Sequence, residues 1–225
     1  MYLILAAIIP VLIILVFYYF LDRFNKEPLK LLWKLFLLGC LSVIPILIIG
    51  SLFEFINPFV GEPSNLYDAF IIAALSEEVI KWYVVYRFAF KNDAFDEKLD
   101  GIIYAVFVSM GFAVIENILY VSSEGISVAI LRAFTAIPAH MFFGVFMGYY
   151  LSLAKFSNVR LRKRFLIKSI FYPVILHGVY DYLLMSNYKL LLLFFIPLLI
   201  WMFINIKRRI REYYNESAEK SLSKL

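Results

Sequence analysis

Apolar residues run along this chain in blocks of about twenty, separated by short polar segments that carry most of the charge. A helix of about twenty residues crosses a hydrocarbon layer about 30 Å thick. The blocks predict seven membrane-spanning helices, at 2–21, 31–53, 67–90, 101–122, 127–153, 166–186 and 190–206. The expected fold class is therefore an all-α, polytopic bundle of membrane helices. A transmembrane catalytic domain is expected over 1–206 and a basic cytoplasmic tail over 207–225. The first block has no positive residue before it and no small-residue cleavage site after it, so it is expected to be a retained span.

The polar segments alternate in charge. Arg23, Lys26, Lys30 and Lys34 follow the first block, and 54–66 then has no Lys or Arg. Arg87, Lys91 and Lys98 follow the third block, diluted by acids. Segment 155–168 carries Lys155, Arg160, Arg162, Lys163, Arg164 and Lys168, and the tail opens on Lys207, Arg208, Arg209 and Arg211. All the basic segments fall on one side, so the positive-inside rule predicts the N-terminus outside and the C-terminus inside. Composition agrees: 63% of residues are hydrophobic and 17% charged, where a soluble domain has about half and about a quarter. Cys40 is the sole cysteine, which excludes a disulfide framework and a thiolate metal cluster. The basic residues sit at helix ends, so no nucleic-acid partner is expected.

Against this background, charges inside the blocks stand out. Glu77, Glu78 and Lys81 interrupt the third block, and a charge at the bilayer centre costs at least about 2.5–3.5 kcal/mol. Such groups have to face a protein interior or a wet cavity. The others are Asp68 in the same block, Glu116 followed by Asn117 in the fourth, Arg132 and His140 in the fifth, and His177 and Asp181 in the sixth. These are the chain's two histidines. Counted along the helices, Glu77, Glu78, His140 and His177 fall at nearly one depth, with Glu116 and Asp181 nearer the outer face.

Spacing adds detail. Lys81 is within reach of Glu77 and Glu78 at four and three residues, and Asp181 is four residues from His177. An Asp181 contact would fix one ring nitrogen of His177 and leave the other to work. Glu77 and Glu78 point about 100° apart, which implies one chemical and one structural role. Asn117 reads as interhelical glue, and Arg132 and Asp68 as interface charges that snorkel. Gly144 and Gly148 permit close helix packing. Kinks at Pro138 and Pro173 would widen a cavity near the histidines.

A carboxylate and two imidazoles in a dry cavity can activate water, return a proton to a leaving amine and stabilise an oxyanion. A peptidase fits these groups. The sequence has no His-Glu-x-x-His and no Gly-x-Ser-x-Gly. A zinc site assembled from His140, His177 and a Glu stays open, since those ligand types suit zinc. A small proton-coupled transporter with a Glu/His relay is a further alternative, although no inverted repeat is evident.

Glu77-Glu78-x-x-Lys81, Phe112-x-x-x-Glu116-Asn117, His140 and His177-Gly178-x-x-Asp181 together resemble the PrsW family of bacterial membrane proteases. The likeness spans roughly 15–205 and includes Asp22, Glu27-Pro28 and Asp100-Gly101-Ile102-x-Tyr104. The family is distantly similar to the CAAX-protease and bacteriocin-processing group. This chain departs from that wider pattern at Lys81, which comes one position early with Trp82 where Arg would stand, and at Glu116, which replaces a His.

The resemblance implies a glutamic-type, metal-independent intramembrane protease with no cofactor. Glu77 would activate water, Glu78 would orient the site, His140 and His177 would stabilise the oxyanion or shuttle protons, and Asp181 would hold His177. Lys81, Glu116 and Asn117 would support them. It also implies a multi-pass protein of the bacterial cytoplasmic membrane that cleaves a single-pass anti-sigma factor at site 1 during envelope stress.

Overall fold

The computed structural model describes residues 2–223 and contains no strand among them. Nine α-helices follow one another among these residues: α1 Tyr2–Leu21, α2 Leu29–Phe55, α3 Glu62–Tyr67, α4 Ser76–Val85, α5 Lys98–Glu124, α6 Ile126–Phe134, α7 Ala136–Lys155, α8 Val159–Met185 and α9 Phe195–Leu222. Wide π-helical turns at Asp68–Leu75 join α3 to α4, and a further set at Tyr86–Phe90 extends α4, giving one helical stretch over 62–90. A 3₁₀ segment, Lys189–Phe194, leads into α9.

The all-α membrane bundle is as expected. Five helical runs are long and apolar enough to cross a membrane: Tyr2–Leu21, Leu29–Phe55, Lys98–Glu124, Ile126–Lys155 and Lys189–Leu222. The other two expected segments fall on the 62–90 stretch and on α8, where Glu77, Glu78 and Lys81, and the cations of Arg160 to Lys168, lower the hydropathy. Ile13, Phe17, Leu41 and Ile48 point outward with more than half their surface exposed, a contiguous apolar skin that lipid would cover.

α9 runs unbroken from Phe195 to Leu222, past the span end expected at 206, and two boundaries nearer the middle of the chain also differ from the sequence expectation. The segment expected as one span at 127–153 is broken at Thr135 (φ −121°, ψ −76°) into α6 and α7. Pro138 explains the break: it has no N–H to donate, and its ring would strike the carbonyl four residues back. Pro173, by contrast, lies within a continuous α8. The basic loop expected at 155–168 shrinks to 156–158, because Asn158 caps α8 by accepting from Leu161 N at 3.0 Å. Its remaining cations belong to the first turns of that helix.

α5 is the axis of the bundle, buried without interruption from Leu99 to Val114. Glycines let its neighbours approach backbone to backbone. A Cβ at Gly111 would run into Phe36 O of α2, one at Gly39 into Val108 O, and one at Gly148 of α7 into Gly101 O. At Gly125, φ is +86°, a left-handed conformation that glycine adopts without steric cost, and it lets α6 fold back along α5.

At one end of the bundle, acids converge. Asp22 Oδ2 accepts from Glu27 N at 2.7 Å, Tyr104 donates to Glu27 Oε2, and Asp100 Oδ2 accepts from Glu97 N at 2.6 Å. The polar end of α9 closes over them: Ser217 donates to Glu97 at 2.5 Å and Lys220 pairs with Glu97 at 3.1 Å. The Asp22, Glu27 and Asp100-to-Tyr104 positions of the sequence motif thus meet in one place.

Burial first, then the charges of Asp100 and Asp22, push the Glu27 carboxyl from 4.5 up to about 10, and burial raises Asp22 to about 6. An acid whose folded pKa lies above its unfolded one retains its proton only in the native state. Its contribution is therefore full below the ordinary carboxylate range and is lost as pH rises toward the folded pKa. The thermal midpoint of the detergent-solubilised protein should fall between pH 5 and pH 9, and Glu27→Gln should flatten that slope. Equal slopes in both proteins would remove Glu27 as its source.

Candidate active site

Glu77, Glu78 and Lys81 occupy the first turns of α4, all buried. Lys81 Nζ lies 2.5 Å from Glu78 Oε1 and 3.2 Å from Glu77 Oε2. It also sits 4.4 Å from the Phe112 ring centre, so an aromatic face shields its remaining side. Adjacent helical residues leave the helix about 100° apart, yet the two carboxylates converge on Lys81 and bring one oxygen of each within 4.8 Å of the other. Glu78 is fully enclosed, while Glu77 opens onto cavities.

His177 on α8 joins this group. Its Nδ1 is 3.0 Å from Glu78 Oε1 and its Nε2 is 3.1 Å from Asp181 Oδ2. The expected Asp181 contact is present, but the second nitrogen is not left free as expected, since Glu78 holds it. With Glu78 and Asp181 ionised each only accepts, and both ring nitrogens then carry hydrogen. The ring stacks on Phe143 at 4.7 Å. Gly178 admits the Phe70 ring where a Cβ would collide with it, which lets the wide-turned segment approach α8. Trp82 Nε1 donates to Ser169 Oγ at 2.8 Å and ties α4 to α8 again, one turn along α4 and about two turns along α8 from the Glu78–His177 contact.

His140, in the second turn of α7, packs perpendicular to His177 with ring centres 5.5 Å apart. Its Nε2 is 2.9 Å from Glu116 Oε2. Glu116, expected nearer the outer face than the histidines, therefore reaches their level. His140 Nδ1 and Glu78 Oε2 are buried without a hydrogen-bond partner.

Asn117 acts as a clasp: Nδ2 donates to Ala7 O of α1 at 2.9 Å, and Oδ1 accepts from Arg132 Nε at 2.9 Å. Arg132 also pairs with Glu116 and lies 4.1 Å from the Tyr120 ring centre. The snorkelling expected of Arg132 is thus replaced by a place in the cluster. A signal was available: a reversal at Gly125 folds α6 back antiparallel, so residues seven beyond it face residues eight or nine before it. Asp68, in contrast, meets only a side-chain amide, accepting from Asn57 Nδ2 at 3.1 Å.

Two cavities open on these groups. One, about 320 Å³, lies between α6, α7 and α8, with Glu77, Glu116, Arg132, His140, His177 and Asp181 in its wall. The other, about 280 Å³, lies between α2, the wide-turned segment and α5. Both include Ala73, Glu77, Glu116 and Tyr120, so Glu77 and Glu116 stand where they meet.

Two donor groups are tight enough to share one cation: Glu77, Glu78 and His177, and Glu77, Glu116 and His140, each with its ligating atoms within 4.8 Å of one another. The set expected for zinc, both histidines with one Glu, does not form such a group. The histidines pair with different carboxylates and have Glu77 in common.

Fold and site together define a polytopic membrane protein with an ionisable centre buried between helices and reached through cavities. A family described as "PrsW family intramembrane metalloprotease" matches residues 27–205, and the chain belongs to that family of intramembrane proteases. It is 42% identical over 222 residues to Protease PrsW of Clostridioides difficile (strain 630), covering 96% of this chain and 92% of that protein. It is 40% identical over 182 residues to Protease PrsW of Geobacillus kaustophilus (strain HTA426), covering 81% and 79%. With Protease PrsW of Bacillus subtilis (strain 168) the identity is 35% over 198 residues, covering 87% and 89%. No solved structure matches the chain. The protein is a multi-pass bacterial membrane protein, and membership of this family sets the transporter alternative aside.

The Arg132 contacts hold α6 against α5 beside the cavity. Arg132→Gln should lower the unfolding free energy in mixed detergent by about 1.5–3 kcal/mol, the range for a hydrogen bond to a charged group, and Arg132→Lys should recover part of it. An unchanged unfolding curve for Arg132→Gln would show the pair to be incidental.

Proposed function

We propose that this protein is a glutamic-type intramembrane endopeptidase in which Glu77 is the base that activates the attacking water. The observation that carries this reading is the position of Glu77 at the meeting point of both cavities, with the charged groups arranged behind it. Lys81 holds Glu77 from the protein side and leaves an oxygen toward the cavity. Glu78 is spent on Lys81 and His177, which makes it an orienting group.

In this reading water between Glu77 and the substrate carbonyl gives its proton to Glu77 as it attacks. The oxyanion develops in a cavity whose fixed positive charges are Arg132 and His177, the latter held by Glu78 and Asp181. His140, with Nε2 on Glu116, offers an unpartnered Nδ1 to relay a proton. Glu77 then delivers its proton to the departing amine. The substrate class proposed is a single-pass membrane protein, and by family resemblance an anti-sigma factor cut at site 1 in a stress response at the cytoplasmic membrane.

A second reading has its own support. The donor types suit a divalent metal, a buried imidazole nitrogen lacks a partner, and the family's description names a metalloprotease. Of the two donor groups, Glu77, Glu116 and His140 fit better, because Lys81 lies between the carboxylates of the other and both nitrogens of its histidine are engaged. Bound there, a divalent ion would polarise the scissile carbonyl and acidify the attacking water. Glu77 would then serve as ligand, with Arg132 and Asn117 fixing Glu116.

Glu77→Gln keeps the side chain's shape and removes its basicity. Proteolysis should fall at least about 100-fold while expression and membrane insertion persist, and undiminished cleavage would take Glu77 out of the mechanism. Chelation separates the two readings. A glutamic-type site should cleave at an unchanged rate after exhaustive treatment with a strong zinc chelator. Loss of cleavage that stoichiometric zinc restores would make the metal-dependent reading the correct one.

A further inference from the structure

The cavities that meet at Glu77 differ in chemistry. The one bounded by α6, α7 and α8 carries Glu124, Arg132, His140, His177 and Asp181. The one between α2 and α5 is walled by Val43, Ile46, Leu47, Gly50, Ile72 and Phe112. Its charged groups are Glu77 and Glu116 at the shared end and Glu54, which is exposed. It opens outward past Leu47 and Leu119, each more than half exposed.

A peptide laid across Glu77 with its carbonyl over the carboxylate has to send the chain on either side of that carbonyl into opposite cavities. An apolar recess next to a reacting bond selects apolar side chains. At about 280 Å³ it is close to the lower end of ligand-pocket volumes, roughly 300 Å³, which suits one large side chain rather than a folded element.

Gly50 forms part of its wall, and the glycines of α2 are not equivalent. At Gly39 a Cβ would strike Val108 O of α5, so packing requires glycine there. At Gly50 a Cβ would meet Ile72 Cγ2 at 3.6 Å, an ordinary contact, with nothing nearer. Glycine inside a helix is unfavourable relative to alanine, and helix packing gives no reason for it at this position. What the missing side chain does leave is space in the cavity.

We propose that the α2–α5 crevice is a specificity subsite that takes one large apolar side chain of the substrate beside the scissile peptide, and that Gly50 sets its depth. This rests on the protease reading above, in either its glutamic or its metal-assisted form. The subsite accepts Leu, Ile, Met or Phe and rejects acidic residues, because a carboxylate there would meet only Glu54 and the carboxylates at its inner end.

The test uses the full chain, purified in detergent and given a peptide library prepared from digested bacterial membranes, with cut sites read by mass spectrometry. The wild-type protein should enrich large apolar residues at one position flanking the cut. Gly50→Leu should lower selectivity for Leu over Ala at that position by at least about tenfold, the effect of a methylene or more in an apolar pocket, and Gly50→Ala should give a smaller shift. Leu47→Ala widens the crevice and should shift preference toward Phe and Trp, so it decides the matter if Gly50→Leu fails to fold. Wild-type selectivity in Leu47→Ala and in folded Gly50→Leu overturns the subsite and leaves the protease reading standing. No cleavage by the wild-type protein overturns the protease reading and the subsite with it.

Discussion

An ammonium sealed away from water needs acids around it, and Lys81 is the point from which the site is organised. Its charge draws Glu77 and Glu78 to one side of α4 although successive residues on a helix diverge. Glu78, once committed to Lys81, extends the contact to His177 on another helix, and His177 passes it on to Asp181. Removing one member of such a chain leaves a buried charge uncompensated, a larger penalty than the net worth of the pair. The arrangement therefore fixes the positions of α4 and α8 together, and Glu77 is the member left facing open space.

A second, smaller assembly stands opposite. Glu116, Asn117, Arg132 and His140 join α1, α5, α6 and α7 through side-chain contacts. The two assemblies meet through crossed imidazole rings and through the shared cavity wall. Neither rests on a loop. Each functional side chain projects from a helix pinned to α5 directly or through a neighbour, and that helix is held by glycine contacts too close for any other residue.

Much of this was legible in the sequence. Apolar blocks of span length located the helices because a bilayer imposes one length on them. Intramembrane acids and histidines located the site because their cost demands a partner. The Glu77–Lys81 and His177–Asp181 contacts followed from helical spacing alone. Contacts between helices were less legible. Depth counting set Glu116 toward the outer face without saying which histidine it meets, and its side chain spans the offset to reach His140 Nε2. Arg132 was assigned to the interface although the reversal at Gly125 folds α6 back along α5 and brings its guanidinium to Glu116. The second nitrogen of His177 was assigned to chemistry because nothing in the sequence says which helix faces it.

The wide turns at Asp68–Leu75 set the angular phase of everything after them. There each backbone N–H reaches one residue further back than in an α-helix, so the segment carries a residue more than the regular spiral would need. Were the same number of residues wound there into ordinary α-helical turns, Glu77, Glu78 and Lys81 would be rotated by about 100° relative to α3. The helix would remain, equally long and equally apolar, with its charges directed at the wrong neighbours. In this stretch residue count, more than residue identity, determines where the carboxylates point.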